Sequence, residues 1–126
     1  MIGKETKQTL ILSLLGLEKE KVTSGDIDSR FIGKKVMIRT YSAGVHFGVL
    51  QNKCGQQVIL KDSRRVHSWV KSASLSQLSQ EGSKDISGCR IAMVVPELLL
   101  DQVIEVLPMS EAAIASLYGA SEWKNS

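Results

Sequence analysis

The sequence predicts an α+β domain, a single antiparallel β-sheet of about six strands with short helices packed on it. Three observations point there. From Lys35 onward the hydrophobic pattern alternates with a period of two, the signature of half-buried strands. The runs are separated by short connections containing Gly, Asn, Asp or Ser, which suit antiparallel neighbours and are too short for crossover helices. Two later segments open at Ser74 and Ser110, residues whose hydroxyls cap helix N-termini.

Each element follows in order. Leu10, Ile11, Leu14 and Leu17 fall on one stripe at helical spacing and predict a helix over 5–17. It belongs to an N-terminal helical extension, 1–22, joined by a polar linker, 23–30, to a ligand-binding α+β domain, 31–126. Lys35–Tyr41 alternates, with Val36, Ile38 and Thr40 on one face. Val45, Phe47 and Val49 repeat the pattern after the Ser42-Ala43-Gly44 loop. Asn52–Gly55 marks a turn, and Gln57–Lys61 is the next strand. Asp62-Ser63 is expected to turn the chain into a separate strand, Arg64–Val70, in which Arg65, His67 and Trp69 share one face. Ser74-Leu75-Ser76-Gln77 fits a capping box, and Gly82 can end the helix it opens. Cys89–Val95 and Asp101–Leu107 are the last two strands. Val94–Leu100 is expected as core or subunit contact. A final helix over 111–118 is capped by Ser110 and closed by Gly119.

The 126 residues are 43% hydrophobic and 23% charged, ordinary for a globular domain able to build a core. The net charge of +3 is unevenly spread. Residues 30–71 carry nine basic side chains against Asp62 alone, so that segment holds +8 and the remainder −5. Such a concentrated positive field suits an anionic partner. Cys54 and Cys89 have neither metal-ligand spacing nor a disulfide framework. Leu10–Leu17 is too short to span a membrane and leads into Glu18-Lys19-Glu20-Lys21 without a small-residue cleavage site. A cytoplasmic protein with free thiols is the expectation.

No constellation for catalysis stands out. His46 and His67 lack neighbouring carboxylates, and no Walker A loop, GxGxxG, HExxH or GxSxG is present. We expect no enzyme, no cofactor and no metal. Binding has better support. Ser42, Ala43 and Gly44 are small enough to leave backbone N–H groups accessible to phosphate, with Val45 and His46 following them. Arg39 and Tyr41 add a guanidinium and an aromatic ring at the same loop. Arg64, Arg65 and Trp69 repeat that combination. Met109 and Ser110 precede the final helix, whose free N–H groups favour anions.

The run Phe31–Gly48, and within it Arg39–Gly48 (RTYSAGVHFG), resembles the phage Thoeris anti-defence proteins of the first type. The similarity continues through Arg64-Arg65, Trp69, Ala73-Ser74-Leu75, Leu78, Val103–Pro108 and Glu111–Ile114, covering about residues 31–118. The resemblance implies a signal sponge in the cytoplasm of an infected bacterial host. Such a protein captures cyclic ADP-ribose isomers made by TIR-domain enzymes and releases them intact on denaturation. Some members also form larger oligomers that hold cyclic di- or trinucleotides at a second site. Because the final helix has no Arg or Lys before Lys124, phosphate would here be gripped by Arg39, Arg64, Arg65, Arg90 or helix N–H groups. Tight capture favours an enclosed site, so a homo-oligomer, dimer or hexamer, is expected, with no membrane or nucleic-acid polymer as partner. The alternative is a small basic nucleic-acid-binding module, compatible with Tyr41, Phe47 and Trp69 in a basic segment. An enzyme degrading the same messenger and a ligand-free interaction protein are the remaining rivals.

Overall fold

A computed structural model of the chain describes residues 27–125. The helix expected over 5–17, and most of the extension and linker, lie outside the described residues. The described chain runs β1 (Lys35–Thr40), β2 (Val45–Cys54), β3 (Gln57–Ser68), α1 (Leu75–Glu81), a 3-10 turn (Ile86–Gly88), β4 (Arg90–Ile91), β5 (Val95–Leu100), β6 (Val103–Pro108) and α2 (Glu111–Tyr118). All strand pairings within the sheet are antiparallel. The architecture is the predicted α+β fold, a six-stranded sheet with two short α-helices.

The sheet is not flat. Across it the strands follow the order β5-β3-β2-β1-β6, so β5 and β6 lie at opposite edges. Four inter-strand spacings would separate them by about 19 Å in a flat sheet. Yet only Asp101 and Gln102 join them, a step of at most about 11 Å from Leu100 to Val103. The sheet must therefore curl until its edges approach, and Val103 N–H donates to Gln56 O (3.0 Å) across the seam.

Curling gives the central strands two buried faces. Val36, Ile38, Leu50, Val58, Leu60, Leu100 and Val103 fill the inside of the curl. Met37, Phe47, Val66, Leu78, Ile91, Met109, Ala113, Leu117 and Ala120 form a second cluster between the outer face and the helices. That is why Val36, Met37 and Ile38 are all fully buried in sequence. Phe31 packs on the inner cluster, Gly33 N–H donates to Leu50 O (2.7 Å), and Asp28 pairs with Lys53 (3.3 Å). The described end of the polar linker is thus fastened to β2.

Three strand expectations are corrected. Asp62-Ser63 is no turn: β3 is one strand of 12 residues, about 40 Å long. Between the pairs Phe47↔Arg64 and Val49↔Lys61, β3 advances one residue more than β2. Asp62 absorbs the extra residue in the left-handed region (φ 52°), which Asp tolerates. The expected strand over Cys89–Val95 is instead divided between β4 and β5. The last strand begins at Val103, after the Asp101-Gln102 turn. Gly48 sits beside the β3 bulge because the chains come very close there: a Cβ would meet Lys61 O at 2.9 Å. The helix caps are as expected, Ser74 accepting from Gln77 N–H (3.1 Å) and Ser110 from Ala113 N–H (3.0 Å).

The bulge decides which arginine faces which way. A one-residue slip exchanges the two faces of a strand. Arg64 consequently lies opposite Phe47 on the helix side, 2% exposed. Its guanidinium donates to the carbonyls of Ala92 (2.7 Å), Ile91 (3.3 Å), Ala120 (2.9 Å), Leu117 (3.2 Å) and Tyr118 (3.3 Å). These include the carbonyl end of α2, where the helix dipole favours a cation. Burial lowers the guanidinium's pKa, opposed by the Glu122 carboxylate. Truncating this side chain orphans several buried carbonyls. Arg64→Ala is expected to lose about 3 kcal/mol or more of unfolding free energy, read from urea melts, while Arg65→Ala stays within about 0.5 kcal/mol of wild type. Equal melts for the two variants would refute the clamp.

Candidate functional site

The 41–44 loop meets the 101–102 turn on one side and Arg65 of β3 on the other. Thr40 organises the loop: its hydroxyl donates to Gly44 O (2.9 Å) and accepts from Ala43 N–H (2.8 Å). Its own N–H also donates to Gly44 O (3.1 Å). Tyr41 N–H donates to Gln102 O (2.9 Å), and Ser42 Oγ–H to Gln102 Oε1 (2.8 Å). The loop is therefore preformed, and of the Ser42, Ala43 and Gly44 N–H groups expected to face a ligand, that of Ala43 is used internally. Ser42 and Gly44 supply the loop's N–H groups outside this network. Tyr41 projects from it, 79% exposed.

Gly44 has φ +87°, and a Cβ there would lie 3.0 Å from Arg65 Nη2. The Arg65 guanidinium thus lies against the loop backbone, where the positive φ favours glycine. Arg65 pairs with His46 across β2 and β3, and His46 with Ile38 across β1 and β2, so all three face the inside of the curl. His46 is buried, its Nε2–H donating to Ala43 O (2.9 Å). Its Nδ1 has no hydrogen-bond partner among the described residues.

Burial chiefly lowers the His46 pKa; the Ala43 carbonyl opposes this, and the positive fields of Arg65 and His67 reinforce it. The ring is held neutral as a structural strut and does not present a proton. Arg65 lies opposite His46, and His67, two residues further along β3, shares that face.

The remaining candidates separate. Alternation places Arg39 on the outer face of β1 with Met37, where its side chain is half exposed and pairs with Glu105 (3.4 Å). Val45 is half-buried against the outer cluster. Arg64 is the inward clamp described above. Trp69 follows the end of β3 and packs on the outer cluster, so it does not share the exposed side of Arg65 and His67. Met109 is buried, and its N–H donates to Lys35 O (3.0 Å), at the far end of β1, about 13 Å along the strand from Arg39. Ser110 caps α2 and donates its hydroxyl to Gln80 O. A separate cavity of about 400 Å³ lies at that end, lined by Lys34, Lys35, Met109 and Glu111 among others.

One group was missed from the sequence. The chain after α2 runs beside β4, with Ile91 and Glu122 forming a parallel bridge and Trp123 N–H donating to Ile91 O (2.9 Å). This brings the Trp123 ring to 4.7 Å from His67 and beneath the Arg90 guanidinium, 5.5 Å from the ring centroid. Only the paired aromatic and basic residue types hinted at it; the bridge itself has no local signature. No three His, Cys, Asp or Glu side chains among the described residues are placed to hold a metal ion. No helix among them is long and apolar enough to cross a membrane.

The fold and site define a small curled-sheet domain with a basic, partly aromatic mouth. The chain belongs to the family described as Domain of unknown function (DUF6948), whose model matches residues 33–117. The match spans the curl, both helices and the 41–44 loop. No curated protein matches the chain. Among solved structures it is similar to an Sm-like protein from Archaeoglobus fulgidus. The two share 10% identity over 72% of this chain and 100% of that one, with a TM-score of 0.44.

The lowered His46 pKa has a stability consequence. Unfolding returns the imidazole to its ordinary value near 6.5, so below that value the unfolded chain binds more protons than the folded one. Stability is expected to be full above about pH 6.5 and to fall as pH drops from there through the lower folded value. Urea melts between pH 7.5 and 5.5 should show the loss in wild type and its reduction in His46→Gln. An unchanged slope in the variant would remove His46 as the cause.

Proposed function

We propose that this domain is a binding protein that captures a nucleotide-type anion at the mouth of the curl and leaves it chemically intact. The supporting observation is the preformed loop carrying the Arg65 guanidinium on Gly44. A cation beside backbone N–H groups suits a phosphate or pyrophosphate. Exposed Tyr41 offers a flat face nearby. His46 is buried, neutral and bonded to the loop, and the nearby Glu105 carboxylate is paired with Arg39, so neither is presented as a general acid or base.

The resemblance of the 39–48 segment to phage Thoeris anti-defence proteins specifies the ligand class: cyclic ADP-ribose isomers made by TIR-domain enzymes in an infected bacterial cell. Withholding such a messenger would silence the defence effector that it activates. A second activity on cyclic di- or trinucleotides belongs to the same proposal. So does assembly into a homo-oligomer. Tyr41 stands largely in solvent, and tight small-ligand sites are closed on most sides. Met93, Val95 and Leu99 are exposed along the β4–β5 edge, an apolar strip that a second copy can cover.

Calorimetric titration with cyclic ADP-ribose isomers and a panel of cyclic oligonucleotides tests this, followed by heating and chromatography of the released material. Tight binding with intact recovery is expected, in a particle heavier than the 13.8 kDa chain on sedimentation. Arg65→Ala should weaken binding by about 1.5–3 kcal/mol, the worth of a charged hydrogen bond. Arg39→Ala, on the other face, should change it little. A degraded product would make the protein an enzyme. Binding to polynucleotides that collapses steeply with salt would favour the nucleic-acid module.

A further inference from the structure

We propose that Trp123, with His67 and Arg90, is the seat for the ligand's base, so that the residues after α2 form part of the binding site. This rests on the nucleotide reading above and assigns that ligand's second half. Two tryptophans occur in the chain. Trp69 is occupied by packing on the outer cluster, whereas Trp123 remains 47% exposed although two partners touch it.

The partners have a common character. His67 meets the indole at 4.7 Å with the rings tilted by 57°, and Arg90 lies over the indole at 5.5 Å. The neighbouring carboxylate, Glu122, is neutralised by Lys124 at 3.0 Å. The exposed part of the indole beside the Arg90 guanidinium suits a planar group attached to an anion. A purely apolar partner has no use for that charge.

Spacing ties this seat to the anion position. Arg65 and His67 are two residues apart on β3, about 6.7 Å along the strand. His67 thus stands between Arg65 and the indole, which its ring meets at 4.7 Å between centroids. A purine and a pyrophosphate joined through a ribose, as in a cyclic ADP-ribose isomer, fit between the two side chains when each reaches partway toward its group. The backbone fixes the indole there, through Trp123 N–H on Ile91 O and the Ile91–Glu122 bridge. A seat held in place before binding loses little entropy when the ligand arrives.

The test uses the full chain and two probes, cyclic ADP-ribose and inorganic pyrophosphate, which lacks a base. In Trp69→Phe the indole emission comes from Trp123 alone, and cyclic ADP-ribose should quench or shift it saturably. Trp123→Leu should bind cyclic ADP-ribose about five- to hundredfold more weakly, the range of one base–aromatic stack. Its affinity for pyrophosphate should equal that of wild type, whereas Arg65→Ala should lose affinity for both probes. Trp123 is exposed, so Trp123→Leu is expected to keep the wild-type urea melt. Unaltered cyclic ADP-ribose affinity in Trp123→Leu, with Trp123 emission unmoved in Trp69→Phe, would overturn the base seat and leave the nucleotide reading standing. Wild-type protein that binds neither probe would overturn both.

Discussion

The buried guanidinium of Arg64 is the constraint around which this domain is arranged. A cation 2% exposed is expensive unless its donors are satisfied, and here carbonyls from two directions satisfy them. Ile91 and Ala92 come from β4 and the residue after it; Leu117, Tyr118 and Ala120 come from the end of α2. One side chain thus fixes the final helix, the short edge strand and the chain leaving the helix on the middle of the sheet. Tyr118 completes the arrangement. Its hydroxyl donates to Asp62 O (3.0 Å), and burial, aided by the Asp62 carboxylate and opposed by Arg64, pushes its pKa to about 12. It remains a donor at any physiological pH.

The bulge at Asp62 links that scaffold to the site. The one residue that β3 gains against β2 there sets which of the two adjacent arginines faces each side of the sheet. Arg64 enters the helix-side core, and Arg65 reaches the mouth of the curl. Without the extra residue the alternation would reverse, burying the arginine now used at the mouth and exposing the one that clamps α2. The bulge, the clamp and the site are therefore one structural decision. Gly48 belongs to it, since the close approach of Lys61 O at 2.9 Å leaves no room for a side chain.

Much of this was legible in the sequence. Period-two alternation located the sheet, and the hydroxyl caps at Ser74 and Ser110 located both helices, because each signal lies within a few neighbouring residues. The Ser42–Gly44 loop was legible as a loop, but its internal hydrogen bonds to Thr40 and Gln102 were not. Asp62-Ser63 misled because a bulge and a turn use the same residue types; only the register against β2 separates them. Trp69 misled for a similar reason. A tryptophan two residues beyond His67 has the right parity for the exposed face only while the strand continues, and β3 stops at Ser68. Trp123 reaches His67 through a parallel bridge to β4, a long-range pairing that local pattern does not encode.

The mouth beside Gly44, Arg65 and His67 is proposed to hold a nucleotide-type ligand without transforming it. Amide and phosphorus magnetic resonance of the labelled protein with cyclic ADP-ribose isomers tests it most directly, since one sample reports both place and fate. The account predicts amide shifts concentrated at residues 41–46, 65–67 and 122–124, with ligand phosphorus lines that move on binding and then stay unchanged over days. Shifts centred instead on Lys34, Lys35 and Met109, or new phosphorus lines growing with time, would contradict it.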